Sequence, residues 1–283
     1  VKVGQSSTIN LSLAPSSEQV DEVVVTAMGI KRETKALGYA VQKVAGDELV
    51  KVKQPNLVNS LNGKIAGVNV TNSGGGAGAS SKIVIRGGTS LSGDNQPLFV
   101  VDGIPIDNST VSANTSSGGL SATSTYQANR GMDINSDDIE SISVLKGPAA
   151  AALYGLKAAA GAIIITTKKG ESGQPKIVLS TKLKMEHVNK LPEYQKKYAQ
   201  GDNGVTGDGT YTSWGAAIPD GTQTYENLED FFETAWSYDV NASISGGNEH
   251  ANYYMSVHRM DQNGIVPTTN YTTNSFRFNG EQQ

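Results

Sequence analysis

The 283-residue chain has no cysteine, which excludes disulfide frameworks, thiolate zinc sites and cysteine nucleophiles together. Histidine is nearly as scarce: His187, His250 and His258 are the only three. All lie in strand-like or turn contexts, and no nucleophile–base–orienting set can be assembled around them. No enzymatic activity, cofactor or metal is therefore expected. A basic excess is missing too: the net charge is −4, whereas a nucleic-acid groove calls for a basic face. No run of about 20 apolar residues crosses a bilayer as a helix, and Val1 to Leu13 lacks the basic start and apolar centre of a secretory signal. Low hydropathy does not exclude a β-barrel, whose spanning strands each give only a weak alternating signal. Aromatics are only 6% against 32 glycines, which favours a β-rich, turn-rich chain over a helical bundle.

What is present is concentrated between Asp138 and Gly170, reading DIESISVLKGPAAAALYGLKAAAGAIIITTKKG. A strand is expected from Ile139 to Leu145, then a short helix opened by Pro148, where a missing N–H does no harm. The alanine run favours that helix. A second strand follows from Ala162 to Thr167, and its consecutive Ile163, Ile164 and Ile165 suit a strand covered on both faces. Upstream, Leu57, Leu61 and Ile65 recur every fourth residue after Pro55 and predict a helix, with Gly67 able to cap it. Lys31 to Lys35 has a helical or mixed flavour, Tyr39 to Val44 reads as a strand, and Val68 to Val70 as another. Lys82 to Gly87 alternates as a strand. Pro97 to Asp107 reads as a hairpin around Asp102-Gly103, so Asp102 serves the turn's backbone rather than catalysis. The glycine-rich Ser73 to Ser81 completes neither G-x-G-x-x-G nor a P-loop, since Gly63-Lys64 is followed by Ile65; a loop is expected. Asn108 to Arg130 is a polar loop with one aromatic, Tyr126.

Beyond Gly170 the pattern changes. Ile177, Leu179, Thr181, Leu183 and Met185 alternate with Val178, Ser180, Lys182, Lys184 and Glu186, and Tyr238 to Ser245 repeats the alternation. Tyr253 to Val257 and Phe276 to Phe278 supply two further strands. One face to lipid and one to a wet lumen gives this period of two, and so does a soluble antiparallel sheet. Leu191 to Trp236 forms a long loop in which Pro192 to Tyr194 and Leu228 to Phe232 are expected as short helices. Its segment 202–210 is faintly like a calcium loop but lacks the alternating carboxylates and closing Glu of an EF-hand.

The run LKGPAAAALYG…AAAGAIIITTKKG, with NSLNGKIAGVNV, KIVIRG and PLFVVDGIPI before it, resembles the plug domain of SusC/RagA-type TonB-dependent outer-membrane transporters. NASISGGNEHANYYMSVHRMDQNGIV resembles that family's early barrel strands. The resemblance implies an α+β plug domain, a mixed sheet with short helices, followed by the first antiparallel strands of a transmembrane β-barrel. It divides the chain into 1–14, the last strand of a preceding small β-sandwich (or an unstructured start); 15–29, a linker and TonB box; 30–170, the plug; and 171–283, about four barrel strands with a long extracellular loop. A family barrel closes with about twenty-two strands, and four cannot close. The sequence is therefore expected to be a fragment, or to be completed by a second chain.

The same resemblance assigns Asp21, Glu22, Val23, Val24, Val25, Thr26, Ala27, Met28 and Gly29 to a TonB box, a strand that adds to the edge of TonB's sheet. The plainer alternative is an ordinary strand of the domain's own sheet. Arg86 is implied to lock the plug onto wall carboxylates, against the plainer reading of a surface arginine. Tyr126 either touches substrate or sits in a passive spacer. The implied partners are TonB with its inner-membrane motor, a SusD-like surface lipoprotein, an oligosaccharide or peptide substrate, and outer-membrane lipid. The implied location is the outer membrane with the N-terminal part periplasmic. The rival expectation is an outer-membrane β-protein for surface binding or adhesion without transport.

Overall fold

The computed structural model describes residues 23–25, 31–33, 41–72, 76–88, 95–108, 130–207, 209 and 211–282. Strand β1 (Val23–Val25) and strand β2 (Lys31–Glu33) make a two-stranded antiparallel hairpin in which Val24 faces Arg32. Lys31 to Glu33 is thus extended rather than helical, as its pairing with the valines requires.

The next part is the α+β domain expected from the sequence. β3 (Val41–Ala45) leads into the short helix α1 (Gly46–Lys51) and a 3₁₀ turn at Leu57–Leu61. After these come β4 (Val68–Asn72), β5 (Ser81–Ile85), β6 (Leu98–Val101) and β7 (Ile104–Ile106). β8 (Ile139–Leu145), α2 (Pro148–Tyr154) and β9 (Ala162–Thr167) close the domain and match the expected strand–helix–strand limits. Five strands form one mixed sheet in the order β3-β8-β9-β6-β7, with only β6 and β9 parallel. β4 and β5 pair with each other outside that sheet.

β9 shows why its three isoleucines are consecutive. Ile163 and Ile165 pack on one face with Leu49, Leu57, Leu61 and Ile83. Ile164 packs on the other with Val100, Leu145, Ala150 and Ala158, beneath α2. All three are buried; a strand sandwiched in this way has no face left for polar residues.

Two local expectations are corrected. The segment after Pro55 is a five-residue 3₁₀ turn, not an α-helix, and it starts at Asn56, whose side chain accepts from Val58 N at 3.0 Å. Leu57, Leu61 and Ile65 are nonetheless all buried, so the apolar spacing reported burial correctly and helix type wrongly. In the long loop Asn227–Phe231 is helical (α3), whereas Pro192 to Tyr194 is not. At the hairpin tip Asp102 (φ 48°) and Gly103 (φ 88°) both take positive φ, the backbone of a type I′ turn.

Four long strands complete the described chain. β10 (Gly173–Glu186) is followed by the small hairpin β11 (Gly201–Asp202) and β12 (Val205–Thr206), then β13 (Ala235–Gly247), β14 (Ala251–Asn263) and β15 (Asn270–Gln282). The long strands form an antiparallel sheet in the order β10-β13-β14-β15. At 13 or 14 residues each exceeds the length a tilted strand needs to cross a bilayer. Register sorts the faces: Ile177, Ile244, Met255 and Phe278 align across the sheet, as do Leu179, Ala242, Val257 and Phe276. Ile177, Leu179, Leu183 and Phe276 are 66–74% exposed, an apolar outer band. The opposite face carries Ser180, Asn241, His258 and Ser275 in one row and Lys182, Asp239, Met260 and Thr273 in the next.

Candidate functional site

The polar face of this sheet is turned toward the α+β domain, and their meeting surface is the site. It is built on one turn, Asn135-Ser136-Asp137-Asp138, immediately before β8. Asn135 caps the 3₁₀ helix Ser136–Asp138 by accepting from Asp137 N at 3.1 Å. This local bond fixes the turn, so its remaining polar groups point outward in set directions. Asn135 Nδ2 donates to Asn241 Oδ1 on β13 at 2.9 Å. Asp137 accepts from Ser180 on β10 at 3.4 Å. Asp138 accepts from the Tyr254 hydroxyl on β14 at 2.8 Å and lies 4.0 Å from Arg277 Nε on β15. One short turn therefore reaches all four wall strands.

Lys53, in the segment after α1, completes the cluster. Its ammonium pairs with Asp137 of the turn and, at 2.6 Å, with Asp239 of β13. His258 Nε2 stands 3.3 Å from the other oxygen of Asp239. Lys53, Asp137, Asp239 and His258 are all at least nine-tenths buried. A buried charge is tolerated only when paired and hydrogen-bonded, and the mutual pairing satisfies that demand. Breaking such a cluster by removing one partner costs about 3–5 kcal/mol.

Further contacts extend the seam. Asp102 accepts from Thr167 N at 2.9 Å and Thr167 Oγ1 at 2.7 Å, tying the hairpin tip to the end of β9, and Arg277 reaches it at 3.4 Å. Asn279 donates to Lys168 O at 2.7 Å. At the other end Gly78 N donates to Gln262 at 3.3 Å, and a Cβ on Gly78 would stand 2.6 Å from the Tyr271 ring. Among the described residues neither apolar cluster includes a wall residue. The domain keeps its own core and is held to the wall by hydrogen bonds and ion pairs.

The expected site residues are distributed differently. Of the nine TonB-box positions only Val23, Val24 and Val25 are described, as β1 paired to β2 and not joined to the five-stranded sheet. Asp21, Glu22, Thr26, Ala27, Met28 and Gly29 lie outside the described residues, as does Tyr126. Arg86 is exposed with φ 58°, its N–H donating to Gly67 O at 2.8 Å. Among the described residues it ion-pairs with no carboxylate. On the four strands present, the buried cation from the domain that meets a wall carboxylate is Lys53; at the exposed rim Lys169 also reaches Glu281 of β15 at 3.5 Å. Sequence reasoning missed Lys53 and the Asn135 to Asp138 turn. The available signal was a run of four polar residues abutting a buried strand, together with carboxylate and amide at the inward positions Asp239 and Asn241. The Asp202 carboxylate of the calcium-like segment accepts from Asn203 N at 3.0 Å.

Residues 33–162 match the TonB-dependent Receptor Plug Domain family. The chain is 36% identical over 270 residues to the TonB-dependent receptor SusC of Bacteroides thetaiotaomicron, an alignment spanning 93% of this chain and 24% of that protein. The chain belongs to the SusC/RagA-type TonB-dependent receptors. TonB-dependent receptor P26 of Formosa agariphila is 32% identical over 288 residues, covering 99% of this chain and 27% of the relative. In fold the chain resembles the structure of the RagAB peptide importer in its open-open state, with TM-score 0.70, 24% identity, and coverage of 93% of this chain and 30% of that one. The chain spans about a quarter of the length of the curated relatives it matches. Receptors of this family are outer-membrane β-barrels and transporters rather than an enzyme class. The α+β domain is thus the plug, and β10, β13, β14 and β15 are the first wall strands.

Proposed function

We propose that the receptor imports an oligosaccharide or a peptide across the outer membrane, with the plug gating the lumen. The observation that carries this reading is the division of surfaces. The wall turns its apolar band outward and its polar face inward, and the plug sits on that polar face without sharing a core with it. Such a plug can be shifted by exchanging its polar contacts for water while its own core stays intact. The likeness to SusC and to a peptide importer supports a nutrient of either class and a SusD-like surface lipoprotein as lid.

In this mechanism substrate binds from outside, with Tyr126 in the plug's polar loop as a contact. Occupancy makes the Asp21 to Gly29 strand available in the periplasm, where TonB adds to it edge to edge and transmits force from the inner-membrane motor. Main-chain pairing suits the task because hydrogen bonds loaded together resist a pull better than scattered side-chain contacts. β1 supports the role: it is extended and, among the described residues, paired on one side only. Arg86 is then the plug's lock onto carboxylates of wall strands beyond these four. Deleting Val23 to Thr26 is expected to abolish uptake by the full-length receptor while substrate binding persists. Normal uptake by that deletion overturns the reading.

A further inference from the structure

Lys53 differs from every other ion-pairing cation described in this chain, because it joins two carboxylates that belong to different bodies. Asp137 is part of the plug's anchoring turn, and Asp239 is part of wall strand β13. Among the described residues, Arg277 comes from the wall and reaches only plug carboxylates, Asp102 and Asp138, and Lys169 at the exposed rim reaches only the wall carboxylate Glu281. Two carboxylates sharing one ammonium lie no more than about 6 Å apart, twice a hydrogen-bond length. Both are nine-tenths buried, where like charges interact far more strongly than in water.

The other charged groups at this place do not take over the role. His258, on β14, approaches Asp239 and makes no ion pair with Asp137; its Nδ1 has no hydrogen-bond partner among the described residues. Lys182 on β10 is the cross-strand partner of Asp239 and forms no ion pair with it. On β15 the residue facing His258 is the uncharged Ser275.

We propose that Lys53 is a release pin: seated, it binds plug to wall, and withdrawn, it leaves Asp137 and Asp239 to repel each other and drive the anchoring turn off β13. Chain order sets the sequence of events. Lys53 precedes Asp137 by 84 positions, so tension entering at β1 reaches the pin before it reaches the turn. The segment carrying Lys53, between α1 and the 3₁₀ turn, belongs to no helix or strand. Among the described residues the plug-sheet ladder between it and β1 is that of β3, an edge strand paired only to β8, so stripping that one edge and α1 frees the pin. Extraction of one side chain thereby turns an attractive contact into a repulsive one, so the pull need not break every seam bond by force. Lys53 is a positioning residue here and touches no substrate. The inference rests on the reading that the plug is displaced during transport.

The test uses the full-length receptor in planar bilayers at neutral pH, with ion conductance as the readout and no TonB present. Lys53→Met keeps the length and apolar stem but removes the ammonium. It is expected to raise the frequency of open-pore events at least about tenfold, the effect of a shift of about 1.4 kcal/mol in the seating equilibrium. The deciding arm is the double variant Lys53→Met with Asp137→Asn, in which no repelling pair remains. It is expected to close again to within about threefold of wild type (about 0.7 kcal/mol on the same scale). A role in packing alone predicts a double variant as leaky as the single one, and that result overturns the proposal. So does a Lys53→Met receptor as tight as wild type. Should Lys53→Met fail to assemble, the double variant alone must still assemble and stay closed, and its failure counts against the pin. None of these outcomes involves the TonB box, so they are independent of the uptake result for the Val23 to Thr26 deletion.

Discussion

The hydrogen bond from Tyr254 to Asp138 offers the cleanest measure of what holds the plug to the wall. Tyr254→Phe deletes one oxygen atom, leaves the ring in place and opens no cavity. The lost bond is 2.8 Å long, is buried, and ends on a carboxylate. Hydrogen bonds to charged groups contribute about 1.5–3 kcal/mol, and Arg277 at 4.0 Å from Asp138 is too distant to replace it fully. We take about 2 kcal/mol, equivalent to a roughly 30-fold shift in the equilibrium between the seated and lifted turn. The assay is native-state hydrogen exchange by mass spectrometry on the full-length receptor. Amides of the Asn135 to Asp138 turn are expected to exchange about 30-fold faster if they open locally, because exchange then reports that equilibrium. Amides of β9, at the centre of the plug sheet, are expected to be unchanged. Equal exchange at the turn would show that the Asp138 bond does not hold it. Equal acceleration of turn and β9 would show that seam and plug core are one cooperative unit, which refutes the separation of surfaces on which the import reading depends.

Two further substitutions probe the seam and the outer face. Gly78→Ala places a Cβ 2.6 Å from the Tyr271 ring at a backbone φ of 69°, so overpacking and left-handed strain together are expected to cost about 1–3 kcal/mol. Thermal denaturation should show a lowered transition that Tyr271→Ser partly restores, since relief of the clash leaves only the backbone term. Leu179→Lys puts a charge mid-strand on the apolar band beside Ala242 and, farther along the row, Val257. At the bilayer midplane this costs about 2–4 kcal/mol, and the yield of heat-modifiable folded barrel on a gel should fall. Unchanged yield would place that face away from lipid.

What the sequence disclosed depends on how far apart the deciding residues lie. The β8–α2–β9 stretch was legible nearly to the residue because its signals are local: a proline at the first helical position, an alanine run, three consecutive isoleucines. The type I′ turn at Asp102-Gly103 was legible for the same reason. Apolar spacing of four at Leu57, Leu61 and Ile65 identified the buried side correctly. It cannot separate an α-helix from a tight 3₁₀ turn, which Asn56 selects by capping Val58. The separate pairing of β4 with β5 and the antiparallel setting of β8 against β9 are choices of partner, and partner choice leaves no mark within either strand. The seam was least visible. Lys53 meets Asp137 across 84 positions and Asp239 across 186, and a lysine, an aspartate and another aspartate at such separations look like ordinary surface charges. Only the inward placement of Asp239 and Asn241, set by a register in which their neighbours face lipid, removes them from the surface.

That register also explains why the seam is polar. A wall strand that must show apolar side chains to lipid has only its alternate positions left for the lumen. On the proposed import reading the lumen fills with water when the plug moves, and an apolar lining would then be exposed at a cost of about 25 cal/mol per Å². Polar lining removes that penalty, since each seam hydrogen bond is exchanged for one to water at a net cost of about 0.5–1.5 kcal/mol. The plug must then carry a core of its own, and among the described residues its two apolar clusters contain no wall residue. What remains is to make the seated state definite when its bonds are individually weak. Directional contacts from a single capped turn to four strands, with one buried lysine between two carboxylates, supply that definition without a shared apolar core.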